Sequence, residues 1–208
     1  MNSKSIPTEY EYLSWPEVKN IASSKRSTII WPFGAVEQHG PHLPLATDSI
    51  FVDEIVNEVL NLIPKDKPLK RFPTQYVGFS PEHLGFDGTI TLSSNLLINL
   101  IVEVGKQLSE IGFERLILLN GHGGQISLLN TAARELKKIA PGLSVFPCFL
   151  WSGVDGLSDL ISKSELENGL HASLAETSLM LKLKPELVGE ERPFEGMDSQ
   201  IPKGWSLE

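Results

Sequence analysis

The sequence predicts an α/β fold with a largely parallel central sheet, and three observations carry that prediction. Short β-branched or apolar runs of strand length alternate along the chain with segments of helical period. One run, Arg115-Leu116-Ile117-Leu118-Leu119-Asn120, is almost continuously apolar, as a central parallel strand covered on both faces requires. Two of the runs open directly onto loops dense in histidine, carboxylate, glycine and proline, where the strands of an open α/β sheet present their ligand-binding ends. At 208 residues the chain has the length of one domain and can bury a substantial core.

The elements follow in order. Ser14-Trp15-Pro16-Glu17 has the S-x-x-E spacing of a capping box, with Pro16 in the first turn, and predicts a helix to about Ala22. Ser27-Thr28-Ile29-Ile30-Trp31-Pro32-Phe33 is β-branched and aromatic and reads as a buried strand. From Asp48 the period turns helical, with Ile55, Val56, Val59 and Leu60 on one face until Pro64 ends it. Residues 71–77 are expected to form a second strand, followed by a polar, glycine-rich loop over 78–88. Ser93 or Ser94 then caps a long helix carrying Leu97, Ile98, Ile101, Val102 and Val104. The strand over 115–120 opens onto Gly121-His122-Gly123-Gly124, and a helix is expected from there to about Ala140. A strand over 143–150 and a helix over 176–183, stopped before Pro185, complete the pattern. The tail after Val188 has no period and reads as loop.

Composition narrows the function. Hydrophobic residues make up 41% and charged residues 21%, as in an ordinary soluble domain. A formal net charge of −8 weighs against nonspecific nucleic-acid binding, which needs a basic face. Cys148 is the sole cysteine, which excludes an intramolecular disulfide. The first residues lack the apolar core of a signal peptide, and no run approaches the roughly 18 apolar residues of a membrane span. The expectation is a cytoplasmic enzyme acting on a small molecule, with neither nucleic acid nor membrane as partner.

Chemistry concentrates in three places. Glu37-Gln38-His39-Gly40-Pro41-His42-Leu43-Pro44 leads to Thr47-Asp48, crowding oxygen and imidazole donors into one braced loop. His122 stands in the glycine-rich turn after the 115–120 strand, so both loops belong at the carboxyl edge of the sheet. Glu37, His39, Asp48 and His122 together form a mixed N/O set without thiolate. Such a set suits catalytic Zn²⁺, Mn²⁺ or Fe²⁺, and a carboxylate can bridge two ions for metal-assisted hydrolysis. The third cluster is His171-Ala172-Ser173-Leu174-Ala175-Glu176. His171 is a candidate general acid or base; Glu176 is a candidate metal ligand, water-activating base or helix N-terminal partner. Ser80 and His83, with Glu82, either line the pocket or only order their loop.

These motifs resemble the creatininase (creatinine amidohydrolase) family. The resemblance rests on the 37–44 signature with Thr47-Asp48, then Gly88-Thr89-Ile90, Asn120-Gly121-His122-Gly123-Gly124 and Glu176-Thr177-Ser178, and spans residues 29–188. It implies a three-layer α/β/α fold, a centre of two divalent metal ions (Zn, Mn or Fe) and hydrolysis of a non-peptide or unusual C–N amide bond. Carried over by position, Glu37, Asp48 and His122 would hold one ion, and His39 and Asp48 the other. Ser80 would contact substrate, His171 would transfer the proton, and the chain would assemble as a homo-oligomer, a hexamer by family likeness.

One departure is informative. Creatininase itself has a metal-binding glutamate two residues after this histidine, preceded by a substrate-contacting tyrosine; here those positions are Gly124 and Gly123. Gly123 is thus expected to border substrate without walling the pocket, and creatinine is not the expected substrate. The Gly-Gly version resembles other branches, among them deformylases of flavin and deazaflavin biosynthesis and the peptidase of mycofactocin maturation. Glu176 is the candidate for the missing ligand. Family members also generally continue beyond the equivalent of Glu208.

The leading expectation is therefore a metal-dependent amidohydrolase acting on a small cyclic amide, formamide or related C–N bond. A hydroxide generated at the metals would attack, with His171 or Glu176 moving the proton to the leaving nitrogen. The rivals are a non-catalytic metal-binding subunit or sensor and a hydrolase of sugar- or nucleotide-linked amides with an anion pocket.

Overall fold

The computed structural model describes residues 7–191 except 164, 166–168 and 170. Four parallel strands, β1 (Thr28–Phe33), β2 (Leu69–Arg71), β3 (Arg115–Asn120) and β4 (Ser144–Phe149), form one sheet in the order β2-β1-β3-β4. The helices are α1 (Trp15–Ala22), α2 (Thr47–Leu62), α3 (Ser94–Ile111), α4 (Ile126–Ile139), the short α5 (Leu157–Leu160) and α6 (Leu174–Leu183).

Period-two alternation within the central strands makes the layers. Ile29, Trp31 and Phe33 of β1 and Leu116 and Leu118 of β3 pack into a core with Leu97, Ile101 and Leu108 of α3 and Leu129 and Leu136 of α4. The intervening residues, Ile30, Ile117 and Leu119, meet Val56 and Leu60 of α2 on the opposite face. Helices thus cover both faces of a parallel sheet, a three-layer α/β/α arrangement. Each fully buried Leu or Phe in it contributes about 1.5–3 kcal/mol relative to exposure.

The caps behave as their residue types require. Glu17 accepts the backbone N–H of Ser14 at 2.7 Å at the start of α1, and Ser93 Oγ accepts from Leu96 N at the start of α3. One expected strand is displaced. Over 71–77 only Arg71 belongs to β2, which instead begins at Leu69. Pro73 has no N–H to give a ladder, so regular pairing stops there. Phe72 N and Gln75 N still donate to Ile30 O (2.8 Å) and Pro32 O (2.9 Å), which keeps the chain alongside β1. The loop expected after Val188 lies, from residue 192 onward, outside the described residues.

The order of the strands locates the functional edge. From β1 the chain passes through α2 to β2 on one side, then through α3 to β3 on the other side of β1. Strand order therefore reverses between β1 and β3, and the crevice outside their carboxyl ends is the ligand-binding position of such sheets. Phe33 and Asn120, the last residues of these two strands, are register partners.

Candidate metal centre

Glu37 and His122 follow Phe33 and Asn120 by four and two residues, so the ladder itself brings their loops together. Glu37 Oε1 lies 3.0 Å from His122 Nδ1. Asp48 enters from a third direction, the first turn of α2. Gly121 permits that approach, because a Cβ there would stand 2.7 Å from the Asp48 carbonyl oxygen. The Asp48 carboxylate faces two histidines at once, Oδ1 at 3.5 Å from His39 Nε2 and Oδ2 at 3.5 Å from His122 Nδ1. All four residues are buried.

Side chains that sequence reasoning did not single out hold these loops in place. Asn120 Nδ2 donates to His122 O (2.7 Å), and its Oδ1 accepts from His122 N (3.0 Å). Gln125, buried at the start of α4, donates to Asn120 Oδ1 (2.9 Å) and Gly34 O (3.1 Å), tying the two loops to each other. His39 Nδ1 lies 3.2 Å from Glu37 O, which turns Nε2 toward the carboxylates. His42, the other histidine of the first loop, leaves the centre and bonds Thr177 Oγ1 of α6 at 2.8 Å.

The donors of this cluster could hold a cation. Both oxygens of Glu37, His39 Nε2 and Asp48 Oδ2 are buried without a hydrogen-bond partner among the described residues. Such groups are costly unless something compensates them. Ligands sharing one ion at bond lengths of about 2.0–2.2 Å stand roughly 3.3–3.6 Å apart in tetrahedral geometry. The separations of Asp48 from His39 and His122 fall in that range. Without a cation, protons fill the role. Burial alone would lower the His39 and His122 pKa values, but the close carboxylates of Asp48, Glu37 and Glu82 outweigh it. His39 is raised to about 9 and His122 to about 10. Burial would raise Asp48, yet His39 and His122 hold it below the ordinary carboxylate range.

The third predicted cluster joins the same centre. Glu176 divides its carboxylate between two tasks. Its Oε2 accepts from Ser173 N at 3.3 Å in a capping box that starts α6, and its Oε1 points to His39 Nε2 at 4.0 Å. Burial raises its pKa to about 7. His171 stacks between His39 and His83, with ring centroids 4.3 and 4.2 Å away. Burial, reinforced by the charges on His39 and His83, lowers its pKa to about 3, so the ring is neutral. Its Nε2 donates to Gln38 O at 2.6 Å, which leaves Nδ1 unprotonated and 3.9 Å from Glu37 Oε1. Gln38 also donates through Nε2 to His83 Nδ1 (3.0 Å), fixing that ring with Nε2 toward Glu37 at 3.7 Å.

Ser80 is fully buried, with its hydroxyl 3.4 Å from His122 Nε2. Gly123 lies exposed at the rim, and a Cβ there would meet nothing within 4 Å. Four trios of donors lie with ligand atoms within 4.8 Å of one another: Glu37–His39–Asp48, Glu37–Glu82–His122, His39–His171–Glu176 and Glu37–His83–His171. Every sequence-predicted donor is in at least one of them.

Comparison with known proteins places the chain in a family. The family described as creatinine amidohydrolase matches residues 11–206. The chain is 32% identical over 185 residues to the mycofactocin precursor peptide peptidase of Mycobacterium tuberculosis, covering 86% of this chain and 67% of that one. It is 28% identical over 205 residues to the creatinine amidohydrolase of Pseudomonas putida, covering 91% and 77%. A solved mutant creatininase of Zn-Zn type superimposes with a TM-score of 0.74 at 26% identity, over 90% of this chain and 76% of that one. The family match and the shared fold agree: the chain belongs to the creatininase family of amidohydrolases.

Proposed function

We propose that this chain is a metal-dependent amidohydrolase that cleaves the C–N bond of a small cyclic amide, formamide or related compound. The observation that carries the reading is the buried, unpartnered donor set centred on Asp48, whose two oxygens face two different histidines. Glu37, Asp48 and His122 would hold one divalent ion; His39, Asp48 and Glu176 would hold a second. Bound there, Zn²⁺, Mn²⁺ or Fe²⁺ supplies Lewis-acid polarisation of a carbonyl and acidifies water at neutral pH.

The chain's own residues complete the reaction. His171, anchored through Nε2, turns Nδ1 toward the centre as the group that would pass the proton to the leaving nitrogen. Ser80 and His83 border the substrate, and open space at Gly123 admits molecules that a bulky side chain would exclude. The working form on this reading is a homo-oligomer, and the partner is a small molecule.

The test is to strip the protein with chelator and reload it with Zn²⁺, Mn²⁺ or Fe²⁺. Each form is then assayed on cyclic amides, formamides and short peptides. Hydrolysis that disappears with chelator and returns with metal is expected. Full activity in metal-free protein overturns the proposal; tight metal binding without hydrolysis on any substrate favours a non-catalytic metal-binding subunit.

A further inference from the structure

We propose that Glu82 is the carboxylate that orients His122 as a metal ligand, and that Gly124 is glycine because Glu82 fills the space above it. This rests on the metal-centre reading and extends it to a residue outside the ligand set. The two ring nitrogens of His122 face opposite ways. Nδ1 looks toward Glu37 and Asp48 at 3.0 and 3.5 Å, whereas Nε2 lies 2.9 Å from Glu82 Oε1. A histidine that ligates through one nitrogen carries its proton on the other, and a carboxylate accepting that proton fixes the tautomer and strengthens the ligand. Nε2 is hydrogen-bonded to Phe79 O at 3.0 Å, with Ser80 Oγ at 3.4 Å, and the Glu82 carboxylate meets the same nitrogen as a charged contact, the strongest acceptor of the three. Glu82 therefore acts through His122: it is a positioning residue.

Gly124 closes around the same contact. A Cβ at this position would stand 1.9 Å from Glu82 Oε1 and 2.5 Å from His122 Nε2. Side chains are excluded there by the contact itself. Glu82 is delivered by the 3₁₀ turn Pro81–His83, whose next residue, His83, is pinned by Gln38. The turn thus aims adjacent side chains at opposite sides of the centre.

The experiment titrates Co²⁺ into the full chain and into Glu82→Ala, Glu82→Gln, Gly124→Ala and the Glu82→Ala/Gly124→Ala pair. The readouts are affinity, by competition, and the visible ligand-field spectrum. Glu82→Ala is expected to weaken binding about 10–100-fold and to shift the spectrum, the usual effect of losing an outer carboxylate. Glu82→Gln, near-isosteric and still offering a carbonyl acceptor, is expected to recover part of the affinity. Gly124→Ala, whose methyl meets both Glu82 Oε1 and His122 Nε2, is expected to weaken binding at least as much as Glu82→Ala, and the pair to bind no more weakly than Gly124→Ala alone. Unchanged affinity and spectrum in Glu82→Ala, or additive losses in the pair, overturns the proposal. Failure of the unaltered chain to bind Co²⁺ overturns the metal reading itself, independently of Glu82.

Discussion

Replacing Asp48 by asparagine tests the centre most sharply, because it removes one charge while keeping shape. Asp48 is 2% exposed, and its two oxygens each lie 3.5 Å from a different imidazole nitrogen. At an effective dielectric constant of about 20, a unit charge pair at that separation is worth about 5 kcal/mol before desolvation, which takes back several. In metal-free protein His39 and His122 can release their protons when the carboxylate disappears. The cost to folding is thereby held below the 3–5 kcal/mol or so of a stranded buried charge. A divalent ion has no such escape, so a loss of about 3–5 kcal/mol falls on metal affinity, roughly two to three and a half decades. The distinguishing result is that both ions weaken together, since each Asp48 oxygen faces a different half of the set. Elemental analysis after dialysis and competition with a chromophoric chelator measure this; circular dichroism melting of the metal-free forms checks the fold. Retention of one ion at unaltered affinity refutes the bridging role, and retention of both refutes the site.

Glu176→Gln separates the two tasks of that side chain. Glutamine still closes the capping box with Ser173, so the metal-free melting curve is expected to move little, while stoichiometry falls from two ions toward one. Unchanged stoichiometry by elemental analysis rejects Glu176 as a ligand. Metal uptake is also expected to release protons. At pH 7 the metal-free site holds His39 and His122 protonated, with pKa values raised to about 9 and about 10, and ligation needs both neutral. Affinity therefore strengthens as pH rises from 7 toward 9 and weakens on acidification. Calorimetry in buffers of different ionisation enthalpy reads the protons released, and none released contradicts the assignment.

What the sequence made legible follows the range of the interactions. Helix starts were readable where a cap is a local contract between residues three apart, as at Ser14–Glu17 and Ser93–Leu96; the Ser173–Glu176 box was not read, and its helix starts at Leu174 rather than at the expected Glu176. β3 was readable because burial on both faces leaves a continuous apolar run. The edge strand β2 was misplaced because its three residues, bounded by Pro68 and Pro73, carry too little pattern to outweigh the apolar run that follows. Glu37, His39, Asp48 and His122 stood out as dense donors on strand-end loops. Gln38, Asn120 and Gln125 did not, since amides have no signature until the fold shows what they hold. Glu82 was seen as lining the pocket or only ordering its loop, because 40 residues separate it from the histidine it touches.

That difference in range bears on how the centre forms. Glu37, His39 and Asp48 lie within twelve residues of one another, yet Glu82, His122 and Glu176 reach them only after β3 has paired and α6 has docked. In creatininase itself, by resemblance, a metal-binding glutamate sits two residues from the histidine; here that place is Gly124, and a carboxylate from a different loop occupies the space. Local covalent proximity has been replaced by tertiary contact. On the proposed reading a site assembled this way would be coupled to the packing of its loops, so free energy of metal binding would also hold the 78–88 loop and α6 against the sheet. The strand-order reversal between β1 and β3 fixes where the ligands meet, and the metal would then fasten the segments that strand pairing leaves unbound.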